Sequence, residues 1–177
     1  MVNIAFAVIM FIIVAIGFTY IFMINKINKL DTQARDKGVE IDSALWDRSF
    51  RLSEIVKILD AKEISHEIEA PEISAFSLGM SPTVQSLNAE KLDKMNVQLN
   101  TIIKDNPGLK DEETFATNLA KFNLARQEMF KYSLAYNKAA AQYNNCISDF
   151  PGSVIASIHK KKHKEIFNYV FAELKEE

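Results

Sequence analysis

From residue 115 onward, large apolar residues return at every seventh position: Phe115, Phe122, Met129, Tyr136, Tyr143 and Phe150. Leu119, Ala140 and Ile147 each stand four residues after a member of that series. A repeat of seven with an interposed four draws one stripe along an α-helix, so this stretch demands partner helices to cover it. Neither Pro nor Gly interrupts it between Asp111 and Phe150. At 1.5 Å per residue such a helix would run roughly 60 Å, which favours a long bundle over a compact globule. With only 5 Gly and 4 Pro in 177 residues, a turn-rich β architecture is disfavoured.

The N-terminus sets the second constraint. No charged side chain occurs from Asn3 to Asn25, and Ile4 to Ile24 is about the length needed to cross a ~30 Å hydrocarbon core as a helix. A cleaved signal peptide would want a basic leading region and a small-x-small cleavage site. Neither stands here, so the stretch is expected to remain as an anchor. Lys26, Lys29, Arg35 and Lys37 follow the span and no Lys or Arg precedes it, which places the C-terminal body in the cytoplasm by the positive-inside rule.

Beyond the span, Ile41, Leu45, Leu52, Ile55, Val56 and Leu59 recur at helical spacing, and Gly38 is the expected break between a juxtamembrane stalk and this first core helix. Trp46 and Phe50, four apart, are expected to cover a neighbouring helix. His66 to Met80, punctuated by Pro71 and Gly79, reads as a loop. Ser81-Pro82 starts a helix lined by Val84, Leu87, Leu92, Met95, Leu99 and Ile102. Asn106-Pro107-Gly108 turns the chain, and Asp111 is expected to cap the long helix with Glu112 and Glu113 in its first turn. Phe150-Pro151-Gly152 closes it, leaving Val154 to Leu174 as a shorter helical return.

The run Asn106-Pro107-Gly108-Leu109-Lys110, then Glu113 and Phe115, Ala125-Arg126, the pairs Tyr136-Asn137 and Tyr143-Asn144, Ile147, and Phe150-Pro151-Gly152 with Ile155-Ala156 resembles the LemA family of bacterial membrane proteins. Ile41-Asp42 with Leu45, Arg48, Leu52 and Ile55-Val56 is similar to that family's first soluble helix. Ser53-Glu54, the loop around Pro71 and the basic run His159 to Lys164 depart from the pattern. The resemblance implies a single-pass anchor and an antiparallel helical bundle. It brings no catalytic residues.

Signals for chemistry are weak. The tyrosines of the two Tyr-Asn pairs extend the core stripe, and Asn137 and Asn144 sit at its edge, where an amide can bond across helices and fix register. His159 and His163 have the i, i+4 spacing of a two-imidazole metal site, but three lysines lie between them and Glu165 does not complete a site. A solvated turn is the favoured reading of this run. Contact with lipid is disfavoured by an up-down-up path that puts residue 150 at the far tip from the membrane. Cys146, the single cysteine, reads as a small packing residue. The acid pair Asp42 and Asp47 has an ordinary solvated-face explanation. No phosphate loop, nucleophile elbow or zinc-protease motif is present, and a net charge of −2 gives no reason to expect nucleic acid.

The expectation is an all-α chain: a transmembrane anchor at 1–25, a juxtamembrane stalk at 26–40 and an antiparallel, LemA-like helical bundle at 41–177, with three long helices plus a shorter C-terminal one. Its function is read as a non-catalytic adaptor or scaffold for envelope proteins or self-assembly. Its partners are the lipid bilayer through residues 4–24 and a protein or a second copy, with no catalytic, cofactor or metal residues and no small-molecule substrate. Competing readings are an enzyme or enzyme accessory, which predicts inward-facing polar clusters, and a lipid-contacting or membrane-shaping protein, which predicts a basic or amphipathic face along 26–37 or 159–164.

Overall fold

A computed structural model of the chain describes residues 2–69 and 76–169. Among them are four α-helices and no strand: α1 (Val2–Ala61), α2 (Pro82–Asp105), α3 (Glu113–Ser148) and α4 (Gly152–Ile158), with a 3-10 turn at Pro107–Asp111 between α2 and α3. The chain forms two compact units. One comprises Met1–Ala34 and Lys138–Lys164, the other Arg35–Asn137 and Glu165–Glu177.

In the second unit the expected stripes form the core. Ile41, Leu45, Leu52, Ile55 and Leu59 of α1 are fully buried, as are Phe115, Phe122 and Met129 of α3. Each such side chain contributes about 1.5–3 kcal/mol relative to exposure. Gly38 does not break the helix. Gln85 Nε2 donates to its carbonyl at 2.9 Å, and a Cβ there would sit 3.7 Å from the Tyr136 ring. Packing on both sides of Gly38 outweighs the roughly 1 kcal/mol that glycine costs a helix. The start of α2 is as expected, with Ser81 Oγ accepting from Val84 N–H and Pro82 in the first turn. Its inward face, however, is Gln85, Ala89, Leu92, Asn96, Leu99 and Ile103, while Val84 and Leu87 are exposed. Asp111 ends the 3-10 turn rather than capping α3, and Glu112 occupies the capping position with its carbonyl accepting from Ala116 N–H.

The direction of α2 follows from its partners. Gln85 meets Gly38 and Asp42, and eight residues later Asp93 meets Arg48, so α2 runs the same way as α1. In contrast α3 runs against α1, with Phe122 at Arg48 and Tyr136 at Gly38. Two parallel neighbours need a long connection, and residues 62–81 supply it. Ile68, within this crossover, is buried, and Gly79, at a φ of 85° that only glycine adopts without strain, donates its N–H to Asp42 Oδ2 at 2.6 Å. Residues 70–75 of the expected loop lie outside the described residues.

In the first unit the apolar N-terminal helix packs on the end of α3. Ile27 is buried among Tyr143, Ile147, Ile155 and Ala156, and Met23 Sδ lies 3.9 Å from Sγ of the half-buried Cys146. The corner from α3 into α4 is tight: a Cβ on Gly152 would lie 1.9 Å from the Cys146 carbonyl oxygen, so the position admits glycine alone.

The expected helix at 154–174 is replaced by a helix that stops at Ile158. Lys160 takes a φ of 50°, its N–H bonds to the Ser157 carbonyl, and Lys161 N–H bonds to the Ala156 carbonyl, which closes the helix in a Schellman motif. Residues 161–169 then have neither helix nor strand, because side-chain amides take up their backbone groups. In the first unit Asn144 donates to the Lys164 carbonyl at 2.9 Å and accepts from its N–H at 2.8 Å. In the second unit Asn137 does the same for Phe167, at 2.9 Å each way. The two Tyr-Asn asparagines therefore hold the C-terminal segment rather than a neighbouring helix. Residues 170–174 of the expected helix lie outside the described residues.

Candidate functional site

Three places bring polar or accessible side chains together, two in the second unit and one in the first. In the second unit Arg48 is wholly buried on the inward face of α1, and its guanidinium lies over the Phe122 ring at 4.7 Å from the centroid. Its Nη2 donates to Asp93 Oδ1. Asp93 also accepts from Arg126 Nε at 3.0 Å and Nη2 at 3.0 Å, and from the Tyr169 hydroxyl. Burial works to raise the Asp93 pKa, but the Arg126 hydrogen bonds, the Arg48 charge and the Tyr169 hydroxyl outweigh it and hold the carboxyl below its ordinary value. Burial lowers the Arg48 pKa against the pull of Asp93. Burial and the Asp93 hydrogen bond push the Tyr169 hydroxyl up.

A second polar group of the same unit borders a cleft of about 330 Å³ lined by Asp42, Ser43, Trp46, Phe76 and Leu78. Burial raises the Asp42 pKa, against hydrogen bonds from Gln85 and the backbone of Gly79 and Met80. Both its oxygens are engaged, Oδ1 by Gln85 Nε2 at 2.6 Å and Oδ2 by Gly79. Trp46 does not cover a neighbouring helix. It stacks on Phe50 with an interplanar angle of 1° and remains 44% exposed, with Leu78 exposed across the cleft.

The first unit carries an apolar cleft of about 540 Å³. Phe11, Ile16 and Tyr20 of α1 form one wall, and Phe150, Val154 and Ile158 belong to the other. The expectation that residue 150 lies far from the anchor is overturned, because α3 returns toward the N-terminal end of α1. Phe150, the last member of the sevenfold series, leaves the core and is 84% exposed. At one end of the cleft the Tyr20 hydroxyl and His159 Nε2 are 2.7 Å apart.

His163 Nε2 faces Ser148 Oγ at 3.5 Å instead, so the two imidazoles have different partners. Their spacing loses its meaning once the helix stops at Ile158. No group of three metal-binding side chains occurs among the described residues. The basic run is not wholly solvated: Asp31 pairs with Lys161 at 3.3 Å and Lys164 at 2.6 Å. Burial opposes the ionised Asp31, but these two lysines lower its pKa. Glu165 accepts from Thr83 in the second unit, apart from any site. The buried Arg48 cluster was open to sequence reading, since residue 48 falls on the same face as Leu45 and Leu52. Nothing in the sequence marks Asp93 or Tyr169 as its partners.

These features define a class: an all-helical protein whose first helix contains one N-terminal stretch long and apolar enough to cross a membrane, with a mean hydropathy of 2.7. The chain belongs to the LemA family, whose family model matches residues 61–177. No curated protein and no solved structure matches it.

Proposed function

We propose that the protein is a membrane-anchored adaptor that acts by binding rather than by catalysis. Its anchor is the charge-free stretch Ile4 to Ile24, and its body lies on the cytoplasmic side, where Lys26, Lys29, Arg35 and Lys37 favour it. The observation that carries the binding role is the aromatic ledge of Trp46 and Phe50 facing the exposed Leu78. An apolar patch with tryptophan at its centre is the composition of an interaction hot spot. The inward-facing polar cluster that an enzyme would require is present, but its one carboxylate is occupied by two arginines and a tyrosine, which favours a structural role for it.

The occupant of the ledge is an envelope protein or a second copy of the chain. A photo-crosslinking residue placed at Trp46 in the full-length protein in intact cells is expected to give a discrete adduct, while the exposed Lys131 position gives none. An absence of any adduct from position 46, with the protein in the membrane, refutes the adaptor reading.

A further inference from the structure

We propose that α4 and the lysines that follow it form a seat for an anionic phospholipid of the bilayer, with an acyl chain in the cleft between α4 and residues 11–20 of α1 and the phosphate at Lys160 and Lys162. The proposal rests on the reading of Ile4 to Ile24 as a membrane anchor.

Depth supports it. Tyr20 lies four residues inside the border of the charge-free stretch and Phe11 thirteen, about 6 and 20 Å along the helix axis, so a spanning α1 sets the Tyr20 end of the cleft near the headgroups and the rest of it beside the acyl chains. Amphipathicity supports it as well: α4 buries Ile155 and Ala156 in its own unit but leaves Val154 52% and Ile158 62% exposed. An amphipathic helix of this kind sits with its apolar face roughly 5–10 Å into the acyl boundary.

Charge then selects the occupant. The chain leaves the cleft through His159 into a basic run, of which Lys161 and Lys164 are both paired with Asp31. Lys160 and Lys162 are exposed and have no ion pair among the described residues. A lipid phosphate would meet both. A partner's transmembrane helix would find small residues at Ala15 and Thr19 but would offer no anion to the two lysines.

The test uses full-length protein in vesicles, with Trp46→Phe as background and a single reporter tryptophan introduced by Phe150→Trp or, separately, by Ile13→Trp. Lipids brominated along the full acyl chain are expected to quench both reporters. With brominated phosphatidylglycerol diluted into phosphatidylcholine, position 150 should be quenched more than its mole fraction predicts, by ~5-fold per lysine in local enrichment at low salt. Lys160→Gln with Lys162→Gln should abolish that preference without changing the helical signal.

Quenching at 13 but not at 150 leaves the anchor standing and overturns the lipid seat, as would a cleft filled by a second copy or a partner helix that shields position 150. Equal quenching by the two lipids overturns the anionic selectivity. Absence of quenching at 13 refutes the anchor itself.

Discussion

Removing the Asp93 carboxylate should destabilise the protein more than removing the arginine it neutralises. Arg48 is fully buried, its Nε and Nη1 have no partner among the described residues, and Asp93 is its counter-charge. Asp93→Asn therefore strands a buried guanidinium and weakens the bidentate bond to Arg126. Breaking a buried pair in this way costs about 3–5 kcal/mol. Arg48→Met keeps much of the side-chain volume, removes the desolvated charge, and leaves Asp93 held by Arg126 and Tyr169. It loses the stacking of a cation on Phe122, about 1–2 kcal/mol when desolvated, and one charged hydrogen bond, offset by relief of the burial penalty.

For a chain of this size ~1 kcal/mol shifts the thermal midpoint by about 2–4 °C, so Asp93→Asn should lower it by roughly 6–20 °C and Arg48→Met by several degrees at most. Circular dichroism of the full-length protein in detergent reads both. The pH dependence adds a sign. Because the folded pKa of Asp93 lies below the ordinary value of 3.8, its stabilisation is complete above that value and is lost as pH falls through the folded pKa. The gap between wild type and Asp93→Asn should thus be widest near neutrality and close below about pH 3.8. Equal losses for the two variants, or a larger loss for Arg48→Met, would refute the account of the cluster.

Three further substitutions probe the chain ends and corners. Asn137→Ala should speed hydrogen exchange at the Phe167 amide and Asn144→Ala at the Lys164 amide, each by about tenfold, since each lost amide removes a hydrogen-bonded pair. Gly152→Ala forces a Cβ against the Cys146 carbonyl and should cost about 3 kcal/mol or more, seen as a lowered thermal midpoint and easier proteolysis after Ser148. Glu63, at a φ of 54° just past the end of α1, should be improved by Glu63→Gly, with a gain of about 1 kcal/mol in thermal unfolding.

How much of this was legible in the sequence depended on whether a position obeyed its simplest physical preference. The α3 stripe and the α1 face from Ile41 to Leu59 were legible because apolar residues at those positions had nowhere else to go. The inward face of α2 was misread by about one position because Gln85 and Asn96 are polar residues turned inward, and a hydrophobicity pattern passes over them in favour of Val84 and Leu87. The end of α4 was missed for a related reason: it is closed by a residue with left-handed backbone, Lys160, where the usual signal is glycine. The Asn137 and Asn144 pairs were visible as a pattern, but their partners are backbone groups of Phe167 and Lys164, which carry no sequence signature at all.

The direction of α2 was equally hidden, since an apolar stripe reads the same along either sense, and the latch that fixes it yields a last prediction. The crossover joins two parallel helices and is tied down where Asp42 accepts from Gly79 N–H and Gln85 Nε2. Every partner of Asp42 is a donor, so an asparagine in its place must turn its NH2 toward one of them. Asp42→Asn should therefore loosen residues 76–81 locally, even though it removes a carboxylate whose pKa burial has raised. Folding shifts this carboxyl toward its neutral form relative to the unfolded chain, so its contribution makes folding more favourable as pH falls below the raised pKa and less favourable as pH climbs toward it. Hydrogen exchange of a peptide covering 76–81 should accelerate about tenfold in the variant at neutral pH, with the Phe122 region unchanged. Unaltered exchange there would mean that the crossover is held by Ile68 and its apolar contacts, and that the Asp42 bonds follow the path of the chain instead of fixing it.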